Sequence, residues 1–216
     1  NQQEEGFSIS FIMFWIKILW IWKRWELTLK NNERQRYGFA VWITGLPGAG
    51  KSVTAESLKR LLEKNNISVE ILRMDEMRNI VTPNPTYKDK ERELIYNSFC
   101  YITKKLTENG INVIMDATGN KRKYRKLAKE ILNKFMEVYI KCPLKIAIER
   151  EMERKDTQDA PKDIYEKAMK GESTTVPGIG SEYQEPKEPD LIVESDKLTI
   201  QESAQKIYEK IKKKFL

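Results

Sequence analysis

One run constrains this 216-residue chain more than any other, Gly45-Leu46-Pro47-Gly48-Ala49-Gly50-Lys51-Ser52. It matches G-x-x-x-x-G-K-[ST] at each defined position. Phe39-Ala40-Val41-Trp42-Ile43 precedes it and reads as a buried strand. Val53 to Leu62 follows and reads as a helix, with Val53, Leu58, Leu61 and Leu62 as its apolar positions. In that setting the glycines let backbone N–H groups approach phosphate oxygens without a Cβ clash. The helix N-terminus adds partial positive charge. Gly45 to Val53 are therefore predicted to cradle the phosphates of ATP. Lys51 would reach the β- and γ-phosphates, and the Ser52 hydroxyl would ligate Mg²⁺.

The rest of the chain alternates between strand and helix periods. Val69–Leu72, Ile111–Met115, Val138–Ile140 and Leu191–Val193 read as further strands. Tyr87–Glu108 reads as a helix with Leu94, Ile95, Phe99, Ile102 and Leu106 at helical spacing, closed by Asn109-Gly110. Lys121–Asn133, Leu144–Arg154, Lys162–Lys170 and Thr199–Lys213 read as helices, the last with Ile200, Ala204, Ile207 and Ile211 on one face. Gly171 to Pro189 reads as a long loop. The predicted fold class is α/β of the P-loop NTPase type, a parallel sheet of about five strands with helices on both faces. Ligands then bind beyond the carboxyl ends of the strands, where the glycine loop, Asp75, Asp116 and Lys141-Cys142 fall.

The domain is predicted over 36–216, with a hydrophobic extension and linker over 1–35. Phe11 to Trp22 is apolar apart from Lys17 and carries Trp15, Trp20 and Trp22. It falls short of the about 20 apolar residues that a span needs. Glu4 and Glu5 before it and the lack of a small-residue cleavage site do not suit a signal peptide. Three readings stand, in this order: an accessory extension outside the core, an aromatic, basic-flanked anchor lying over residues 7–25 in a membrane interface, and a true span. Such a segment could equally pack on the domain or on a second copy, making a homodimer. Deleting residues 1–30 is expected to leave the domain intact.

The formal net charge of +7 suits polyanionic ligands, nucleotides as well as nucleic acid. Much of it lies in Lys121–Lys134 and Lys210–Lys214, which read first as solvated helix faces. Cys100 and Cys142 have no metal-ligand spacing and read as reduced core residues of a cytoplasmic protein. The chain has no histidine, so proton transfer falls to a carboxylate, Lys or Tyr. Asp75 lies just past the second strand. It could accept a proton from an attacking hydroxyl, hold a water on Mg²⁺, or cap a short helix. Arg78 at i+3 could bind an anionic group. Asp116 ends an apolar strand, as a metal-organising Asp does, or caps the turn after it. Arg150, Arg154 and Lys155 could form a lid that neutralises transferring phosphate.

From Tyr37 onward, over four-fifths of the chain, the sequence resembles the adenylylsulfate kinases, which make 3′-phosphoadenylylsulfate from ATP and adenylylsulfate. The stretches that carry the resemblance are Trp42–Ser52, Asp75 with Arg78, Glu91-Arg92 and Glu137–Leu144. Later come Pro161-Lys162-Asp163-Ile164-Tyr165, Pro177-Gly178-Ile179, Tyr183–Pro186 and Pro189-Asp190-Leu191. The resemblance implies that Asp75 acts near the 3′-hydroxyl and Mg²⁺. It implies that Arg78 and Arg92 bind substrate, that Tyr87 stacks on its adenine, that Lys162 lies near it in a lid, and that Arg150 lies close to ATP. Catalysis then falls to Asp75 and Lys51, and the metal to Ser52, Asp75 and Asp116.

The chain departs from the family pattern at Arg73, where an Asp is usual, and at Ile95, where an Asn is usual. Asp116-Ala117-Thr118-Gly119-Asn120 replaces Ile-Ser-Pro, Val176 replaces the second aromatic of the adenine clamp, and the stretch between Arg150 and Pro161 is lengthened. Losing one stacking face removes about 1–3 kcal/mol of base binding. The leading expectation is an ATP-dependent, Mg²⁺-requiring adenylylsulfate kinase. The first alternative is a kinase of another nucleotide or of a nucleic-acid end. It rests on Asp116–Asn120, Arg122 and Arg125, which resemble the Asp-x-Thr-Asn stretch of polynucleotide-kinase-like enzymes. Nucleic acid fits less well because the C-terminal third matches the adenylylsulfate kinases better. The second alternative is a membrane-tethered nucleotide-binding module without catalysis.

Overall fold

The computed structural model describes residues 19, 20, 22–24, 37–154 and 163–216. The chain divides into two units, Asn1–Tyr37 and Gly38–Leu216. In the first unit the described residues 19, 20 and 22–24 are helical, and Leu19, Trp20 and Trp22 are exposed. No helix among the described residues is long and apolar enough to cross a membrane. The remaining expectations for the extension and the linker fall outside the described residues.

The second unit is built on a five-stranded sheet. Its strands are β1 (Ala40–Thr44), β2 (Glu70–Arg73), β3 (Val113–Asp116), β4 (Phe135–Lys141) and β5 (Leu191–Glu194). All pairings are parallel and the order is β2-β3-β1-β4-β5. The strand that feeds the glycine loop is therefore central, and all five of its residues are buried. The helices are α1 (Lys51–Lys64), α2 (Met74–Val81), α3 (Asp89–Glu108), α4 (Arg122–Ile131), α5 (Leu144–Glu153), α6 (Ile164–Met169) and α7 (Ile200–Phe215). Because side chains alternate along a strand, β1 feeds two separate cores. Val41 and Ile43 join Leu58 and Leu62 of α1 and Ile207 and Ile211 of α7. Ala40 and Trp42 join Ile95 and Phe99 of α3 and Tyr124 and Ala128 of α4. Cys100 and Cys142 are free and buried, and burial pushes the Cys100 thiol up to about 12.

The expected elements are present, with three shifts. β4 runs seven residues rather than three, because Phe135 and Met136 already pair with Ala40 and Val41 and are buried there. On α3 the buried stripe runs through Arg92, Ile95, Tyr96, Phe99, Cys100, Thr103 and Thr107, whereas Leu94 is 63% and Ile102 38% exposed. Ile95, Phe99 and Leu106 face the core as expected, and threonine and arginine rather than Leu94 and Ile102 complete that stripe. On α7 Ser203 and Tyr208 are buried and Ile200 is exposed. Gly110, at φ +81, ends the α3 turn in the left-handed region as Asn109-Gly110 predicts.

The buried face of α3 is open to test. Ile95→Ala opens a cavity in a closed core and should lower unfolding stability by about 2–5 kcal/mol. Leu94→Ala, one residue away, should change it by less than about 0.5 kcal/mol. Urea denaturation of both variants checks this, and equal losses would place the wrong face inside.

Candidate active site

The glycine loop is fixed by its neighbours before any ligand arrives. Gly48 has φ +73, and a Cβ there would lie 2.0 Å from the Ala147 carbonyl oxygen, so only glycine lets the loop lie against α5. Gly50, at φ +95, turns the chain into α1. The loop is held in three places through its carbonyls. Leu46 O accepts from Lys51 Nζ at 3.0 Å, Pro47 O from the Tyr165 hydroxyl at 3.1 Å, and Ala49 O from Ser195 Oγ at 2.8 Å.

Lys51 is buried at the start of α1 with three carboxylates around it. Asp75 is half-buried in the first turn of α2, Asp116 is buried at the end of β3, and Glu151 is buried on α5. Burial draws the Lys51 ammonium below the ordinary lysine value, while Asp116, Asp75 and Glu151 pull it back up. Burial lifts the Asp75 carboxyl above the ordinary carboxylate range, against the attraction of Lys51 and with the repulsion of Asp116. Burial also lifts Glu151. Its Oε1 pairs with Arg154 Nη2 at 3.2 Å, and its Oε2 is buried without a hydrogen-bond partner. Lys51, Ser52, Val53, Asp75, Asp116 and Glu151 all line one cleft of about 770 Å³.

The far wall of the same cleft carries Arg78, Tyr87 and Arg92. Arg78 Nη1 pairs with Glu91 Oε1 at 3.1 Å and is almost wholly buried. The Glu91 carboxylate also accepts from the Thr86 N–H and hydroxyl at 2.6 Å and from Tyr87 N at 3.1 Å. Tyr87 adopts φ +53, a left-handed conformation unfavourable for an aromatic residue. It is pinned there by Glu91 and by Arg92 Nε, which donates to Tyr87 O at 2.7 Å. The guanidinium carbons of Arg78 and Arg92 lie 4.9 and 5.6 Å from the centre of the Tyr87 ring. Val176 is buried beside Tyr165 and Ala168 and also lines the cleft.

Arg150 lines the cleft near the loop, held by Ser195, whose carbonyl and hydroxyl accept from its Nη2 and Nη1 at 2.9 and 3.3 Å. Arg154 lines it too, whereas Lys155 and Lys162 fall outside the described residues. The basic helix α4 presents the expected solvated face at Arg122, Lys123, Lys126 and Lys129, which are exposed, and departs from it at Arg125, which is buried. Lys121 pairs with Asp89, Lys123 with Glu93, and Arg125 with Glu137 at 2.6 Å, and Arg122 Nε donates to Glu185 O at 2.7 Å. These cations brace α4 against α3 and the C-terminal loop, where a polyanion cannot reach Arg125, 2% exposed. Arg73 pairs with Glu56 of α1, and Ile95 is packed in the core, so neither departure reaches the cleft. Glu151 and Ser195 escaped sequence reasoning. Neither belongs to a local motif, and each reaches the loop only through the fold.

Comparison with known proteins follows the same outline. A family model described as adenylylsulphate kinase matches residues 37–194. The probable adenylyl-sulfate kinase of Archaeoglobus fulgidus is 35% identical, covering 74% of this chain and 97% of that protein. The adenylyl-sulfate kinase of Halothermothrix orenii is 35% identical over 84% of this chain and 93% of its own. Among solved structures, the Mycobacterium tuberculosis APS kinase CysC, in complex with AMPPNP and APS, superposes with a TM-score of 0.72. It is 30% identical, covering 82% of this chain and 98% of that one.

The raised Asp75 carboxyl fixes the sign of a stability effect. Its contribution to folding is complete below the unfolded carboxylate value and is lost as pH rises through the higher folded value. At neutral pH the ionised group therefore works against the fold. Asp75→Asn should melt at a higher temperature than the parent at pH 7, with the gap closing towards pH 4. Thermal denaturation without nucleotide across that range measures it, and a lower melting temperature at pH 7 would contradict it.

Proposed function

The chain belongs to the adenylylsulphate kinase family, and from that premise we infer that it transfers the γ-phosphoryl group of ATP to the 3′-hydroxyl of adenylylsulfate, giving 3′-phosphoadenylylsulfate and ADP. The observation that carries this reading is the single cleft joining two different walls. One presents the glycine loop with Lys51 and Ser52, and the other presents Tyr87 between two arginines. Its volume, about 770 Å³, lies in the upper range of ligand pockets.

ATP lies with its phosphates on residues 45–52 in this reading, and Arg150 flanks its nucleoside end. The acceptor lies against Tyr87, with Arg78 and Arg92 facing its anionic portion and Lys162 contributing from the neighbouring segment. Asp75, within the electrostatic reach of Lys51, orients the acceptor hydroxyl and takes its proton. Burial supports that role by raising its affinity for the proton. Lys51 stabilises charge on the oxygens of the transferring group, and its burial strengthens that attraction. The donor set also suits Mg²⁺. Ser52, Asp75 and Asp116 offer hard oxygens to one cleft. Mg²⁺ ordinarily keeps several waters and substrate oxygens; when bound, it would neutralise charge between the β- and γ-phosphates. Two buried free thiols fit a cytoplasmic setting.

The alternative of a nucleic-acid acceptor loses support at Arg125, which is buried and paired with Glu137, although Arg122 stays exposed. An ADP-release assay with adenylylsulfate, free nucleosides and a 5′-hydroxyl oligonucleotide separates the readings. Turnover should appear with adenylylsulfate, and turnover with the oligonucleotide alone would overturn this assignment. Lys51→Ala should lower kcat by at least about 10²-fold while leaving the melting temperature near that of the parent. Asp75→Asn should lower kcat by about 10²–10⁴-fold with little change in ATP affinity.

A further inference from the structure

We infer that Asn120 is a positioning residue for the acceptor wall, holding Arg92 and the loop over residues 175–184 as one unit. Asn120 lies just beyond β3, within the segment where this chain departs from the family pattern, and it has no exposed surface. Its side-chain orientation is set by chemistry. The oxygen must face Arg92, a donor only, and Arg92 Nη1 donates to Asn120 Oδ1 at 3.2 Å. The amide nitrogen must face a carbonyl, and Nδ2 donates to Glu182 O at 3.2 Å and to Ser181 Oγ at 3.2 Å. The Asn120 backbone carbonyl accepts from Gln184 N at 2.8 Å.

Arg92 extends this connection into the cleft. Its Nε donates to Tyr87 O and its Nη2 to Thr175 O, both at 2.7 Å. Three of its donor contacts therefore tie Tyr87, Asn120 and the loop at Thr175 together, while its guanidinium lies 5.6 Å from the centre of the Tyr87 ring. Asn120 itself does not line the cleft, whereas Arg92, Tyr87, Thr175 and Val176 do. Val176 supplies no aromatic face, so the position of Tyr87 and Arg92 decides how an acceptor is gripped. Among the described residues the side-chain hydrogen bonds of Asn120 run to Arg92, Ser181 and Glu182 and none to the glycine loop. Loss of the Asn120 side chain should therefore weaken acceptor binding and leave the ATP side alone.

The inference rests on the proposed acceptor, and the test keeps the two apart. The full chain and its Asn120→Ala and Ser181→Ala variants are assayed with ATP and adenylylsulfate, each varied at saturating levels of the other. Asn120→Ala should raise KM for adenylylsulfate about 10-fold, the loss of one or two hydrogen bonds, with KM for ATP within about 2-fold. Ser181→Ala, a milder cut in the same brace, should move KM the same way by less, and it stands in if Asn120→Ala does not fold. Asn120→Asp keeps the acceptor for Arg92 but sets an oxygen against Glu182 O, so it should recover part of the loss. Equal changes in both KM values, or none, would overturn the inference. Amide hydrogen exchange supplies a reading independent of substrate. The Gly178 and Ser181 amides, bonded within the loop, should exchange faster in the variants at unchanged core protection. If the parent does not use adenylylsulfate, the proposed function fails. Faster exchange in that loop would still support the brace, and unchanged exchange would refute it.

Discussion

The site turns on one buried ammonium among three carboxylates. Lys51 sits at the first turn of α1 with Asp75, Asp116 and Glu151 acting on it, while burial works against its charge. Its Nζ donates to the carbonyl of Leu46, inside the loop it serves. A triphosphate entering this cleft adds negative charge to a place that already holds three acids. It can stay only if cations meet it. The cleft supplies them from several elements, Arg78 and Arg92 on one wall and Arg150, Arg154 and Lys167 on the other. Carboxylates and phosphates that face each other repel unless a cation lies between them.

The acceptor wall depends on a different kind of constraint. Its central aromatic residue stands in an unfavourable backbone conformation, and such a residue persists only where its surroundings over-determine it. Glu91 and Arg92 do so from α3, and Asn120 links Arg92 to the C-terminal loop. Trp42 Nε1 donates to Ala117 O at 2.8 Å, and Thr44 Oγ1 to Thr118 O at 2.5 Å. The same turn that fixes Asn120 is thus fastened to the central strand. The departures in this segment form a cross-brace rather than an exposed reading surface for a nucleic acid.

The glycine loop and its flanking strand and helix were legible because each is local: one motif, one apolar run, one periodic stretch. Asp116 was legible because it ends β3, and Asp75 because it lies two residues past β2, and strand ends gather on one side of a parallel sheet. The face of α3 was legible at Ile95, Phe99 and Leu106 but not in full, since Thr103 and Thr107 bond back to the helix carbonyls of Phe99 and Thr103 and so sit inside at little cost. The contacts of α4 were not either, because Asp89, Glu93 and Glu137, which hold its cations, lie 12 to 32 residues away in sequence. Ser195 reaches Ala49 across 146 residues, a distance that no pattern records.

The central claim is that one cleft holds ATP and adenylylsulfate together and passes a phosphoryl group between them. Phosphorus NMR of a reaction started with γ-labelled ATP and adenylylsulfate tests it most directly, because it locates the transferred group. The account predicts the label as a phosphate monoester on the ribose 3′-oxygen, with the sulfate anhydride intact. Label found only as inorganic phosphate, or on another oxygen of the acceptor, would contradict it.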